Sequence, residues 1–304
     1  MTNPVLSPLG LKLAQANNLY DQSGFVQTEI PSVKVFLTPE NTARTPVIYN
    51  PGLVFILQGR KRAFLEDKYF DYNPDKYLVL GVPMPLECVT YASSELPLIG
   101  IFIEIKIEDL LEQIRIVNSS NVVKVTNRNK YSHGVEQGNL NKDLQESLQR
   151  LIKTMLNPIE IKILGPSLVK EVLLRTLLNN PSGVLHNLSV KNGKYAKISW
   201  TLYKLHQNYS QPIEVNKLAA EEGMSESTFF RIFRTITSDT PIQYLKKIRL
   251  NKAKIMLVHD DVDVQTVAER VGYSSATQFS REFKRFFGRP PSEASKLGYK
   301  ALKY

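Results

Sequence analysis

Arg231 and Arg281 stand 50 residues apart, and each follows a phenylalanine by two positions, Phe229 in one case and Phe279 in the other. A guanidinium presents donors in a rigid fork that matches guanine O6 and N7, and a glutamine such as Gln278 can pair in the same bidentate way with adenine. Either arginine can instead grip a phosphate, which positions a protein on a duplex without reading it. Beside them lie Ser227, Thr228, Phe230 and Arg234 in one segment, and Ala276, Thr277 and Lys284 in the other. This is chemistry of recognition: hydroxyls, an amide and cations. Phe230 departs from the polar pattern and either packs on a thymine methyl or folds back onto the protein. Ser227 and Ala276 are short, so each segment reaches few bases directly and depends partly on duplex shape.

Bond-making chemistry has little to work with elsewhere. Metal centres of oxygen- and nitrogen-rich sites cluster histidine with carboxylate, yet residues 1–132 contain no histidine, and His133, His186, His206 and His259 are scattered over the remainder. No glycine-rich phosphate loop and no cysteine pair for zinc is present. The single cysteine, Cys88, sits in the strand-like stretch LECVT without a basic neighbour in sequence, which predicts a buried structural thiol and not a nucleophile. One cysteine rules out an intramolecular disulfide and suits a reducing cytoplasm. The expectation is no enzyme and no metal.

The elements that must position the arginines are legible. LAAEEGMSESTFFRIFR begins at Leu218, and VAERVGYSSATQFSREFK begins at Val267. Each starts as a short amphipathic helix, with Val215, Leu218 and Ala219 in one and Val264, Val267, Ala268 and Val271 in the other. Each helix stops at a glycine, Gly223 or Gly272, the residue that adopts a left-handed backbone at least cost. Ser225 or Ser274 then caps a second helix. Phe229, Ile232, Phe233 and Ile236 share its inner face in the first copy, as Phe279, Phe283 and Phe286 do in the second. The glycines are 49 apart and the phenylalanines 50, so the second turn carries one extra residue. Helix, glycine turn and a second helix with a polar-basic outer face is the helix-turn-helix plan, which presents its second helix to a major groove. Between the copies, residues 241–259 read as a long helix, with Thr240 as cap, Pro241 at the first position and Gln243 three after the cap. A stiff connector can hold two reading heads apart, and contact on one face of DNA needs successive major grooves about 34 Å apart. Lys246, Lys247, Arg249, Lys252 and Lys254 make it basic.

The chain of 304 residues suggests two domains. Its net charge of +10 is unevenly placed. From residue 187 onward there are 20 Lys and Arg against 11 Asp and Glu, so the excess sits with the repeat, as expected of a polyanion binder. No signal peptide and no bilayer-spanning run is read, which points to a soluble cytoplasmic protein. Residues 1–30 read as a leading helix and a loop. Between Val33 and Ile105, eight short strands separated by Gly, Pro, Asn and Asp indicate a sandwich or barrel, large enough for packed side chains or one small ligand. Lys34, Tyr49, Phe55, Phe64, Tyr69 and Tyr77 are candidates for an effector pocket, with Arg60, Lys61 and Arg62 as further anion anchors. The aromatics, Phe36 and Tyr72 included, equally suit ordinary core. Three helical segments follow to about residue 185, their leucines serving as core or as a dimer surface. The linker is placed at 187–193 on the markers Pro181-Ser182-Gly183 and Ser189 to Gly193.

With these residues in view, the chain resembles the AraC/XylS family of bacterial transcription regulators. The segments LAAEEGMSESTFFRIFR, TPIQYLKKIRLNKAKIML and VAERVGYSSATQFSREFKRFFGRPPSE carry the resemblance over about 110 C-terminal residues. Upstream, NPGLVFILQGRKRAFLEDKYFDYNPDKYLVLGVPMPLE is similar to the cupin-like N-terminal domain of one subgroup. The resemblance implies an α+β chain of two domains: a cupin-like β-barrel over about 30–105 with flanking helices within 1–186, and an all-α DNA-binding domain over 194–304. The two motifs then span about 214–235 and 263–285, with the connector over 241–258. It implies reading faces formed by Ser225, Ser227, Thr228, Phe230, Arg231 and Arg234, and by Ser275, Ala276, Thr277, Gln278, Arg281 and Lys284. The implied partners are promoter DNA, RNA polymerase, a second copy of the chain and a small organic effector, with no membrane. An activator or effector-responsive regulator is the expected role, and a barrel that only dimerises or contacts a partner protein is the alternative.

Overall fold

Turn residues cut the first third of the chain into short strands, and the computed structural model shows how they are used. It describes residues 1–22, 24–119, 133–179, 183–188, 193–260 and 262–296. After α1 (Leu6–Ala16) and the short α2 (Leu19–Gln22) come β1 (Gly24–Gln27), β2 (Val33–Thr38), β3 (Thr42–Tyr49), β4 (Gly52–Gln58) and β5 (Arg60–Leu65). The strands continue with β6 (Lys68–Tyr72), β7 (Lys76–Leu80), β8 (Met84–Tyr91) and β9 (Leu98–Glu104). After α3 (Ile107–Ser119) a further strand, β10 (Val135–Asn139), returns to the sheet.

The strands form a six-stranded sheet, β1-β2-β9-β4-β7-β10, and a four-stranded sheet, β3-β8-β5-β6. No hydrogen-bonded ladder joins the two sheets among the described residues. Gly59 makes the switch between them: β4 ends in one sheet, β5 starts in the other, and this single residue lies between. Its φ of +90° and the Leu98 Cα 3.1 Å from where a Cβ would stand both favour glycine here. β1 and β10 were not anticipated. The sequence of β10, VEQGN, has no apolar alternation, and its Gly138 lies under the Tyr77 ring.

Helices α4 (Lys142–Met155), α5 (Glu160–Asn179) and α6 (Val184–Leu188) close this part of the chain. Leu144, Leu148, Leu151 and Ile152 of α4 are fully buried, so that leucine face is core. The expected linker begins inside α6, where His186 and Asn187 are buried, and its markers at 181–182 and 189–192 lie outside the described residues.

The remaining chain is helical: α7 (Lys194–Gln207), α8 (Val215–Glu221), α9 (Glu226–Thr237), α10 (Pro241–His259), α11 (Val264–Arg270), α12 (Ala276–Phe287) and α13 (Pro291–Lys296). Two apolar clusters organise the molecule. The first runs from the sheets through Ile198, Leu202, Phe229, Phe233 and Tyr244 to Ile248. The second begins at Leu250 and holds Leu257, Val267, Val271, Phe279 and Phe283. Each buried phenylalanine contributes about 1.5–3 kcal/mol relative to exposure. The first helix-turn-helix thus shares its core with the sheets, and the second has one of its own.

Candidate nucleic-acid interface

Helices α9 and α12 each start on a serine whose hydroxyl accepts from an amide of the first turn. Ser225 accepts from the Thr228 amide at 3.4 Å, and Ser275 from the Gln278 amide at 3.3 Å. The second cap is therefore Ser275 and not Ser274, because the extra residue of the turn shifts the helix start by one. Phe229, Ile232 and Phe233 turn inward from α9, and Phe279 and Phe283 from α12. The 3.6-residue period then fixes what points outward. Ser227, Arg231 and Arg234 are exposed on α9, and Thr277, Gln278, Arg281 and Lys284 on α12. Thr228, Phe230 and Ala276 are half-buried. Ser227, Arg231 and Arg234 share the outward face of α9, and Thr277, Gln278, Arg281 and Lys284 that of α12, with Ser225 and Ser275 at the helix starts.

The basic residues of the connector have partners within the molecule. Lys247 pairs with Asp239 at 2.8 Å, and Lys246 pairs with Glu282 at 3.0 Å. Lys252 lies over the Tyr209 ring at 5.7 Å and Lys254 over the Phe287 ring at 5.0 Å, and burial lowers the pKa of both. Arg249 donates to backbone carbonyls. The sequence spacing gave no sign of these partners, because they come from α12 and from the loops around α10. Glu282, on α12 itself, likewise takes its role from tertiary partners. It accepts from the Tyr273 hydroxyl at 2.9 Å and from Gln278 Nε2 at 3.4 Å. Burial pushes its carboxyl up, and the bonds from Lys246, Tyr273 and Gln278 together outweigh this and hold it below its ordinary value.

Hydrogen bonds tie α9 and α10 to the strand-bearing part. The Tyr244 hydroxyl donates to the Pro83 carbonyl at 2.8 Å, and the Gly134 amide donates to the Ile236 carbonyl at 2.8 Å. Beside them lies an open recess of about 530 Å³, lined from α9 by Phe230, Arg231 and Arg234 and from the sheet side by Glu66 and His133. Phe230 thus faces this recess, which answers for its place on a polar helix. Burial, with the charge of Lys68, lowers the His133 pKa.

The candidates for an effector pocket are not brought together. The alternation of β5 turns Lys61, Ala63 and Leu65 inward, so Phe64 stands outside beneath the Arg44 guanidinium at 4.1 Å. Tyr69 is 59% exposed, with Arg62 over its ring. Phe55 and Tyr77 pack on each other at 5.2 Å in the core, and Lys34 is half-buried on β2 opposite Phe102. Arg62 pairs with Asp71 at 2.7 Å, and Arg60 lies over Tyr91. Lys61 and Tyr49 do meet, inside the four-stranded sheet: Lys61 Nζ donates to the Tyr49 hydroxyl at 2.9 Å, which lies 2.9 Å from that of Tyr72. The Cys88 thiol is 3.9 Å from both hydroxyls, and burial pushes its pKa up. Among the described residues, no three His, Cys, Asp or Glu side chains gather as a metal-ligand set.

With this geometry in hand, comparison with known proteins is informative. Residues 29–184 match the family described as AraC-type transcriptional regulator N-terminus, and residues 218–296 match a helix-turn-helix domain. The chain is 37% identical over 97 residues to the HTH-type transcriptional regulator AlkR of Acinetobacter baylyi, covering 32% of each chain. It is 30% identical over 162 residues to the raffinose operon regulatory protein RafR of Pediococcus pentosaceus, covering 53% of this chain and 57% of RafR. The matches thus span from a third to just over half of these relatives, which are named as regulators and not as enzymes. Among solved structures, unsaturated fatty acid-bound ToxT from Vibrio cholerae is similar with a TM-score of 0.59, over 92% of this chain and 98% of ToxT. Their sequences are 12% identical, so that likeness is one of fold. A match to the AraC-type N-terminus over half of the sequence, joined to a helix-turn-helix domain, means that this chain belongs to the AraC/XylS family of transcription regulators.

Proposed function

We propose that this chain is a sequence-specific DNA-binding regulator of bacterial promoters, acting in the cytoplasm without catalysis. The observation that carries the reading is the pair of outward polar-basic faces on α9 and α12, at matching places of a repeat and joined by one helix. The heads enter successive major grooves, with Arg231, Arg281 and Gln278 at base edges and Ser225, Ser227, Thr228, Arg234, Ser275, Thr277 and Lys284 on bases or backbone. Domains over 1–186 and 194–304 divide sensing from reading, and RNA polymerase and a second copy are the further partners. The test is promoter occupancy across a genome, followed by titration of the occupied duplex in rising salt. Sequence-independent binding alone would sink the reading.

The sensing part takes a small organic effector without a metal. The buried meeting of Lys61, Tyr49 and Tyr72 supports a polar anchor inside the four-stranded sheet, and the fatty acid named with ToxT supports an organic ligand. Thermal melting against a panel of organic acids and sugars tests this, since a ligand selective for the native state raises stability. A dimerising role without ligand is the second reading. It is favoured by exposed apolar side chains on α3 and at the start of α5, Ile116 at 58%, Ile163 at 70% and Ile159, just before α5, at 70%.

A further inference from the structure

Arg249 lies on the connector α10 where the two apolar clusters part: Ile248 belongs to the first and Leu250 to the second. Its guanidinium reaches four backbone carbonyls. Nε donates to Tyr209 at 2.8 Å, Nη1 to Gly272 at 3.0 Å, and Nη2 to Gln211 at 2.9 Å and Ser210 at 3.3 Å. Tyr209, Ser210 and Gln211 form the loop that leads into the first head, and Gly272 is the turn glycine of the second. One planar fork therefore holds both heads to the helix between them. Two independent features place the joint at the same spot. A Cβ on Gly272 would stand 2.2 Å from the Ser210 carbonyl oxygen, so the two segments meet backbone to backbone. The Tyr209 side chain packs against both clusters.

We propose that Arg249 is a positioning residue that sets the separation and rotation of the two reading heads, and through them the half-site spacing the protein accepts. The inference rests on the two-headed DNA-reading function. Its physical basis is the geometry of the side chain. The fork has five donors in a fixed plane, whereas a lysine ammonium is a point charge on a flexible stem that cannot span four carbonyls in two segments. Without the fork, the heads are related by α10, by the packing of Tyr209 and Ser210 and by the Lys246–Glu282 pair, and the two apolar clusters remain separate. One base pair of spacing moves a half-site by about 3.4 Å and about 35° around the duplex, so a rigid joint discriminates spacings and a loose one does not.

The test is selection by the full chain from a library of random-sequence duplexes, repeated with Arg249→Lys and Arg249→Gln. The readout is the distribution of spacings between the two enriched half-motifs. The native chain should enrich one spacing, with about a tenfold penalty for a shift of one base pair. Both variants should enrich the same half-motifs with that penalty reduced to about threefold or less. Enrichment of the half-motifs shows that each head is folded, and a uniform loss of stability would lower all spacings alike without broadening them. Unchanged spacing and unchanged sharpness in both variants would overturn the inference while leaving the two-headed function intact. A native chain that enriches only one half-motif, or none, would overturn the two-headed reading and this inference with it.

Discussion

Arg231 and Arg281 occupy corresponding exposed positions, yet their surroundings differ: Arg231 borders the recess beside Glu66 and His133, and Arg281 lies between Gln278 and Glu282, which contact each other on α12. If each reads a guanine, Arg231→Ala and Arg281→Ala should weaken specific binding by ~1–3 kcal/mol while random duplex is bound nearly as before. Fluorescence anisotropy on both duplexes decides this, and an equal loss on each would make that arginine a phosphate anchor. His206 invites a second test. It is 7% exposed on α7, and burial, with the charge of Lys252, pushes its pKa down to about 4. In the unfolded chain it takes up its proton near pH 6.5. The unfolded state therefore binds more protons between those values, so the contribution is complete above pH 6.5 and is lost as pH falls toward 4. Urea melts should show about 2 kcal/mol of this loss by pH 4.5. His206→Phe should reduce the slope, and identical slopes would contradict the assignment to His206.

The two helix-turn-helix elements look alike in sequence and differ in how they are held. Gly223 has φ +64° with Lys197 Nζ at 3.7 Å as the nearest atom to an added Cβ, whereas Gly272 has φ +88° and the Ser210 carbonyl oxygen at 2.2 Å. Gly223→Ala should cost about 1–2 kcal/mol of left-handed strain. Gly272→Ala should cost at least about 3 kcal/mol, because backbone must also move. Chemical denaturation of the two variants measures the difference, and equal costs would mean that the loop at Ser210 yields easily. The contrast also marks what a sequence makes legible. Strands β2 to β9, the glycine turns and the outward faces of α9 and α12 follow from periods and local chemistry, so they could be read in advance. The spacing of 50 between Phe229 and Phe279 even held the clue to the Ser275 cap. By contrast, β10 is a strand only because β7 pairs with it, and Lys246, Lys247 and Arg249 acquire their roles from residues on α12 and in the loops around α10. Such partnerships are tertiary and leave no local pattern. The outward position of Phe64 was available from the alternation of β5, once Lys61 is recognised as the inward residue.

At the scale of the molecule, the apolar core does not divide where the charge does. The basic excess begins near residue 187, but the first cluster continues from the sheets into the first head and ends at Ile248. A fragment over 193–304 keeps both heads, α10 and the Arg249 joint, so it should fold and bind the same site. It loses whatever the sheets supply to the first head, including the bond between the Tyr244 hydroxyl and the Pro83 carbonyl, which is buried. Tyr244→Phe separates these contributions. In the full chain it removes the donor and leaves a buried carbonyl unpaired, which should cost about 1–3 kcal/mol. In the fragment Pro83 is absent, so the same substitution should be close to neutral. Amide hydrogen exchange reads both cases at α9 and α10, where protection should fall in the full-chain variant alone. An equal fall in both would mean that the hydroxyl stabilises the head from within, and no change in either would mean that the contact with the sheets does not hold the head in solution. Loss in the full chain alone would make Tyr244 part of the physical link through which an event in the sheets reaches α9, because a ligand can shift DNA affinity only by favouring one arrangement of the two parts over another.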